Sequence, residues 1–84
     1  MKLRTIEELH DKEIGHRKFA KVCDLVLEEG YQITEIKEYN EQFKFKINKY
    51  DFVYRKEWKA SSEEFVRYLL NVLALQEQLE NLRK

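Results

Sequence analysis

Residues 43–54 read Phe43-Lys44-Phe45-Lys46-Ile47-Asn48-Lys49-Tyr50-Asp51-Phe52-Val53-Tyr54, and the period of this stretch decides the class of fold. Phe43, Phe45 and Ile47 alternate with lysines, and Tyr50, Phe52 and Tyr54 alternate with Asp51 and Val53. That is the pattern of antiparallel strands with one face on a core and the other in water. With Asn48-Lys49 as a two-residue turn, Asn tolerating positive φ, the opposed pairs are Ile47 with Tyr50, Lys46 with Asp51, Phe45 with Phe52 and Phe43 with Tyr54. Every apolar side chain then meets an apolar one, and opposite charges meet.

Working outward, a turn at Asn40-Glu41 adds an earlier strand, with Ile36 expected opposite Phe45, Thr34 opposite Ile47 and Glu35 opposite Lys46. Ile33 and Ile36 break the strict alternation, which marks a bulge. Before the strands, Thr5-Ile6-Glu7-Glu8 fits a capping box that opens a helix. The stripe Phe19, Ala20, Val22, Cys23, Val26, Leu27 continues at helical spacing, Gly15 is placed to break or bend it, and Gly30 supplies the stop. After the strands, Ser61-Ser62-Glu63-Glu64 repeats the capping logic, with both serines read as caps, and predicts a closing helix from about Ser62 to Arg83.

The expected fold is therefore a single α+β domain spanning residues 1–84, in the order α-β-β-β-α: a three-stranded antiparallel meander with both helices packed on one face. The expected core is Leu9, Phe19, Val22, Cys23, Val26, Leu27, Ile36, Phe43, Phe45, Ile47, Phe52, Tyr54, Phe65, Val66, Leu69 and Leu73. Glu35, Lys37, Lys44, Lys46, Asp51, Val53 and Arg55 fall on the open face of the sheet. This element order is similar to that of the double-stranded RNA-binding domain. That family grips phosphate with lysines opening its second helix. The same place here reads Ser61-Ser62-Glu63-Glu64, which repels phosphate, so the resemblance stops at topology.

Composition narrows the function classes. The 84 residues carry 16 basic and 16 acidic side chains, so no net field draws the chain toward polyanions or anionic lipid. No stretch approaches the roughly 18 apolar residues of a membrane span, no signal-peptide pattern opens the chain, and one cysteine allows no internal disulfide; the expected compartment is the cytoplasm. Abundant Lys, Phe, Tyr and Ile with no Pro and two Gly suggest an AT-rich bacterial or phage genome.

Chemistry-bearing constellations are sparse. His10, Glu13 and His16 drift round a helix and do not converge on one ion. Cys23 and His16 are seven residues, roughly 10 Å, apart along a helix, too far for a nucleophile and its base. Two glycines leave no phosphate cradle, and no paired carboxylates occur; no enzyme, metal, cofactor or small-molecule ligand is expected.

Two surfaces remain. Phe65, Tyr68, Val72, Leu75, Leu79 and Leu82 follow spacings of three and four, the seam of a coiled coil, while a second apolar strip, Val66, Leu69, Leu70 and Leu73, covers only the first half of the helix. The helix spans roughly 33 Å and six-residue strands roughly 20 Å, so its last two or three turns are expected to overhang the sheet. Tyr68, Val72, Leu75, Leu79 and Leu82 are the candidate contact residues for a protein partner, including a second copy. The other candidate is a charged face, Lys37, Lys44, Lys46, Lys49 and Arg55, in a segment (42–59) where six basic residues meet two acidic ones. It suits a nucleic acid backbone, with Tyr39 and Trp58 as stacking groups at its rim. The preferred expectation is a small non-enzymatic binding or regulatory protein acting through protein contacts, of the kind a phage or mobile element uses to inhibit a host protein; nucleic-acid binding is the alternative.

Overall fold

A computed structural model describes residues 1–13 and 16–82. The elements are β1 (Lys2–Leu3), α1 (Ile6–His10), α2 (Arg17–Glu28), β2 (Ile33–Glu38), β3 (Gln42–Ile47), β4 (Tyr50–Arg55) and α3 (Ser62–Leu82). The α+β class and the antiparallel sheet are as expected, but the sheet has four strands in the order β1-β2-β3-β4 and not three. The added strand is Lys2–Leu3, paired with Glu38 and Lys37. Two residues carry no periodicity, so nothing in the sequence announces it.

The β3–β4 hairpin has the expected register throughout, from Ile47 opposite Tyr50 to Phe43 opposite Tyr54, and Asn48 takes φ +56 at its turn. The β2–β3 register follows expectation at the turn end, where Lys37 opposes Lys44 and Glu38 opposes Phe43, and departs from it beyond a shift, where Thr34 opposes Lys46 and Ile33 opposes Ile47. At the shift Glu35 and Ile36 together stand against Phe45, so Thr34 with Ile47 and Glu35 with Lys46 are the expected pairs that do not form. The shift is the bulge that Ile33 and Ile36 signalled: Glu35 adopts φ +54, an extra residue enters the strand, and both isoleucines turn inward.

The first helical segment divides in two. Thr5 caps α1 through the full capping box, and α2 ends at Gly30 with φ +91. The break expected at Gly15 lies outside the described residues. Ser61 caps α3 by accepting from Glu64 N–H at 3.1 Å. Ser62 is no cap: its buried hydroxyl donates to the Lys18 carbonyl at 2.9 Å and welds α3 to α2. Lys21 pairs with Glu63 at 2.6 Å on the same side, so the two helices start together and run the same way.

The core forms where expected, with Phe19 stacked between Phe43 and Tyr54 at 4.6 and 4.9 Å. One expected member is absent. Leu27 is 42% exposed, on the outer side of the turn whose inner side is the fully buried Val26, and fully buried Ala20 joins the core.

Candidate functional site

The closing helix settles how far each candidate surface is built. Phe65, Val66, Leu69 and Leu73 face inward and are buried. At 100° per residue, Tyr68, Leu75, Leu79 and Leu82 then point to the flank of α3 away from the core. They are 56%, 60%, 57% and 82% exposed, and Val72 is half-buried between the two strips. The start of the seam, Phe65, is thus a core residue, Val72 packs partly against the core, and Tyr68, Leu75, Leu79 and Leu82 are left more than half exposed.

The overhang is shorter than expected. Lys49, on the β3–β4 turn, reaches Glu80 as an ion pair, and the Glu80 hydrogen bond holds the Lys49 ammonium above its ordinary value. Burial, then Glu80, pushes the Tyr50 phenol up as well. Side chains at the end of the sheet therefore reach the last turn of α3. The N-terminal arm does not reach this side. β1 adds to the β2 edge, and α1 pairs with α2 through His10 and Asp24 at 2.9 Å.

The charged face is also partly spoken for. Lys46 pairs with Glu35 at 3.4 Å, Arg55 lies 3.6 Å from Glu57, and Lys44 sits over the Tyr39 ring at 5.4 Å. Lys49 belongs to the α3 contact, not to the face. Trp58 is drawn to the opposite side, edge-on to Phe65 at 5.1 Å.

What the sequence reading kept apart, the structure joins. Lys37, Lys44 and Lys46 of the open face share one concavity of about 640 Å³ with Asp51 and Val53 of β4. Its other lining comes from Tyr68, Val72 and Gln76 of α3. Tyr68 and Val72 of the seam and the lysines of the charged face thus line one groove, with Asp51 and Val53 of β4 between them. Gln76 carries a buried Oε1 with no hydrogen-bond donor. Leu75 lies outside the groove, beside Asn71, Ala74 and Gln78. The sequence missed the junction because it depends on where α3 crosses the sheet, which no local pattern encodes.

The chemistry-bearing residues go elsewhere. His16 meets Glu38 at 3.0 Å, far from the Asp24 partner of His10, so the two histidines do not converge. Glu38 also accepts from Arg4 Nε at 2.6 Å and Lys56 Nζ at 2.7 Å. Burial raises this carboxyl, but the Lys56 and Arg4 hydrogen bonds outweigh it and bring it down to about 2. This cluster ties the N-terminal arm and the end of β4 to β2. Cys23 is fully buried, and burial followed by the nearby Asp24 charge pushes its thiol up to about 12. Among the described residues no group of three or more His, Cys, Asp or Glu side chains is placed to hold a metal. No helix among them is long and apolar enough to cross a membrane. No protein-family model, curated protein or solved structure matches this chain.

Proposed function

We propose that this chain is a small non-enzymatic binding protein that acts through protein–protein contact, with the outer strip of α3 as its contact surface and a second copy of itself as the first partner to test. The observation that carries the reading is the strip: Tyr68, Leu75, Leu79 and Leu82 stand more than half exposed along one helix flank. Scattered exposed leucines need no explanation, but a row of them at helical spacing does.

The test uses the Leu75→Glu/Leu79→Glu variant as bait beside the unaltered chain. Both substituted positions are exposed, so the fold survives, and proteins retained by the unaltered chain are lost by the variant. An identical set of retained proteins overturns the reading. The same strip suits an inhibitor or accessory protein that covers a helix of its target, as a phage or mobile element employs.

A second reading, nucleic-acid binding, draws on the groove, where Lys37, Lys44 and Lys46 stand beside Tyr39. Glu35 and Asp51 line the same groove, leaving a net of one positive charge, far short of the several phosphates a backbone-binding protein neutralises. It requires salt-sensitive affinity that Lys44→Glu/Lys46→Glu abolishes; no binding at about 50 mM salt ends it.

A further inference from the structure

The sheet has two edges, and they are unlike. β1 is two residues long, whereas β4 presents six residues and, among the described residues, has no strand beyond it. Lys56 N–H donates to the Glu41 carbonyl at 2.9 Å, in line with the pairing of Ile47 with Tyr50. In an antiparallel ladder hydrogen-bonded pairs alternate. Tyr50, Phe52 and Tyr54 therefore spend their main-chain groups on β3, while Asp51, Val53 and Arg55 aim theirs at the open edge. All three of these residues are exposed. Among the described residues nothing pairs with the outward main-chain groups of Asp51 and Val53, and the Arg55 carbonyl accepts from Trp58 N–H at 3.0 Å.

Strand edges that face water are ordinarily guarded by charged side chains, lysine above all, by proline or by a bulge. β4 has no lysine, proline or bulge, and its two charges, Asp51 and Arg55, are of opposite sign. We propose that a second copy of this chain pairs antiparallel along the β4 edge, with Val53 on the two-fold axis and Asp51 opposite the second copy's Arg55. This rests on the reading of α3 as a contact surface and adds the edge beneath it.

The charge pattern selects the occupant and the register. Paired strands must keep their faces aligned, so only alternate registers are open. Centred on Val53, the pairing sets two valines together with one oppositely charged pair on either side, all on the open face. Centred on Phe52 or on Tyr54, the strand sets no Asp51 against an Arg55, so within Tyr50–Arg55 the Val53 register alone is charge-complementary. Asp51 has no ion-pair partner among the described residues, and the Arg55–Glu57 contact is long and solvated at 3.6 Å.

The helix completes the surface. α3 runs antiparallel to β4, held by Phe65 against Tyr54 at 4.8 Å at one end and by Glu80 at Lys49 at the other. An axis through Val53 then brings Tyr68 and Val72 of the two copies toward each other, on the side where the groove opens.

The experiment is sedimentation velocity at about 100 µM on the unaltered chain, Asp51→Arg, Arg55→Asp, an equimolar mixture of these two variants, and Leu75→Glu/Leu79→Glu. Circular dichroism on each checks that it is folded. The unaltered chain is a dimer; each single charge variant weakens it about tenfold or more, because two attractive pairs become two repulsive ones. The mixture restores it, since the arginine introduced in one copy then meets the aspartate introduced in the other, and the unaltered Arg55 and Asp51 meet across the axis. Should Asp51→Arg fail to fold against its in-chain neighbour Lys46, Val53→Cys in a Cys23→Ala background reads the same axis as a disulfide-linked dimer on oxidation. A mixture no tighter than its components, or a chain that is monomeric throughout, overturns the pairing. A dimer indifferent to the charge variants but dissociated by the glutamates overturns the edge and leaves the α3 reading. The reverse pattern keeps the edge and removes the helix.

Discussion

Glu38 is one carboxylate between three nitrogen ligands, Arg4, His16 and Lys56, and it stands 15% exposed at the point where the N-terminal arm, the start of α2 and the end of β4 converge. Its lowered value, about 2, lies below that of the unfolded chain. The stability it contributes is complete above the ordinary carboxylate value near 4.5 and drains as pH falls from there toward 2. Urea titrations at descending pH are expected to show that loss, and Glu38→Gln to flatten it while costing about 2 kcal/mol at neutral pH. Cys23 makes the opposite case. A thiol held near 12 and fully buried is protonated at pH 8, so a thiol reagent is expected to label it only as urea opens the chain. The Glu38 cluster is not legible in the sequence, because Glu38 and its partners lie up to 34 positions apart and no spacing rule links them. Cys23 is legible as core because it sits on the stripe of Phe19 and Val26.

At the scale of elements, periodicity is legible wherever an element buries one face, and boundaries are legible wherever a side chain caps them. The β3–β4 hairpin follows from alternation alone, since a one-residue slip would expose Phe43, Phe45 and Ile47 together. β1 is not legible, being too short to have a period, and the β2 register departs from alternation by one residue past a bulge whose extra residue is a glutamate. Asn48 at φ +56 makes a direct check: Asn48→Gly is expected to leave stability within about 0.5 kcal/mol and Asn48→Val to cost about 1 to 2. The closing helix makes another, because its two strips differ in burial. Leu73→Ala removes a fully buried side chain and is expected to cost about 3 kcal/mol. Leu79→Ala, more than half exposed, is expected to change the dilute monomer by less than about 0.5 kcal/mol. Urea unfolding at low micromolar concentration reads both.

The whole molecule measures 46 × 24 × 22 Å, and α3, at 21 residues, is its longest element. The seam is readable in the sequence because a second apolar strip runs at helical spacing beside the strip that faces the sheet. Its meeting with the charged face is not, since that depends on α3 crossing the β4 margin. Fold and candidate surface thus come from the same mismatch: one helix, two apolar strips, and a sheet that covers only one of them. Sedimentation velocity of the unaltered chain beside Leu75→Glu/Leu79→Glu, from about 2 to about 200 µM, tests this most directly. The unaltered chain is expected to rise from 10.3 kDa toward twice that mass while the glutamate variant stays at the monomer, both with the same circular dichroism. Superimposable sedimentation of the two chains across the range contradicts it.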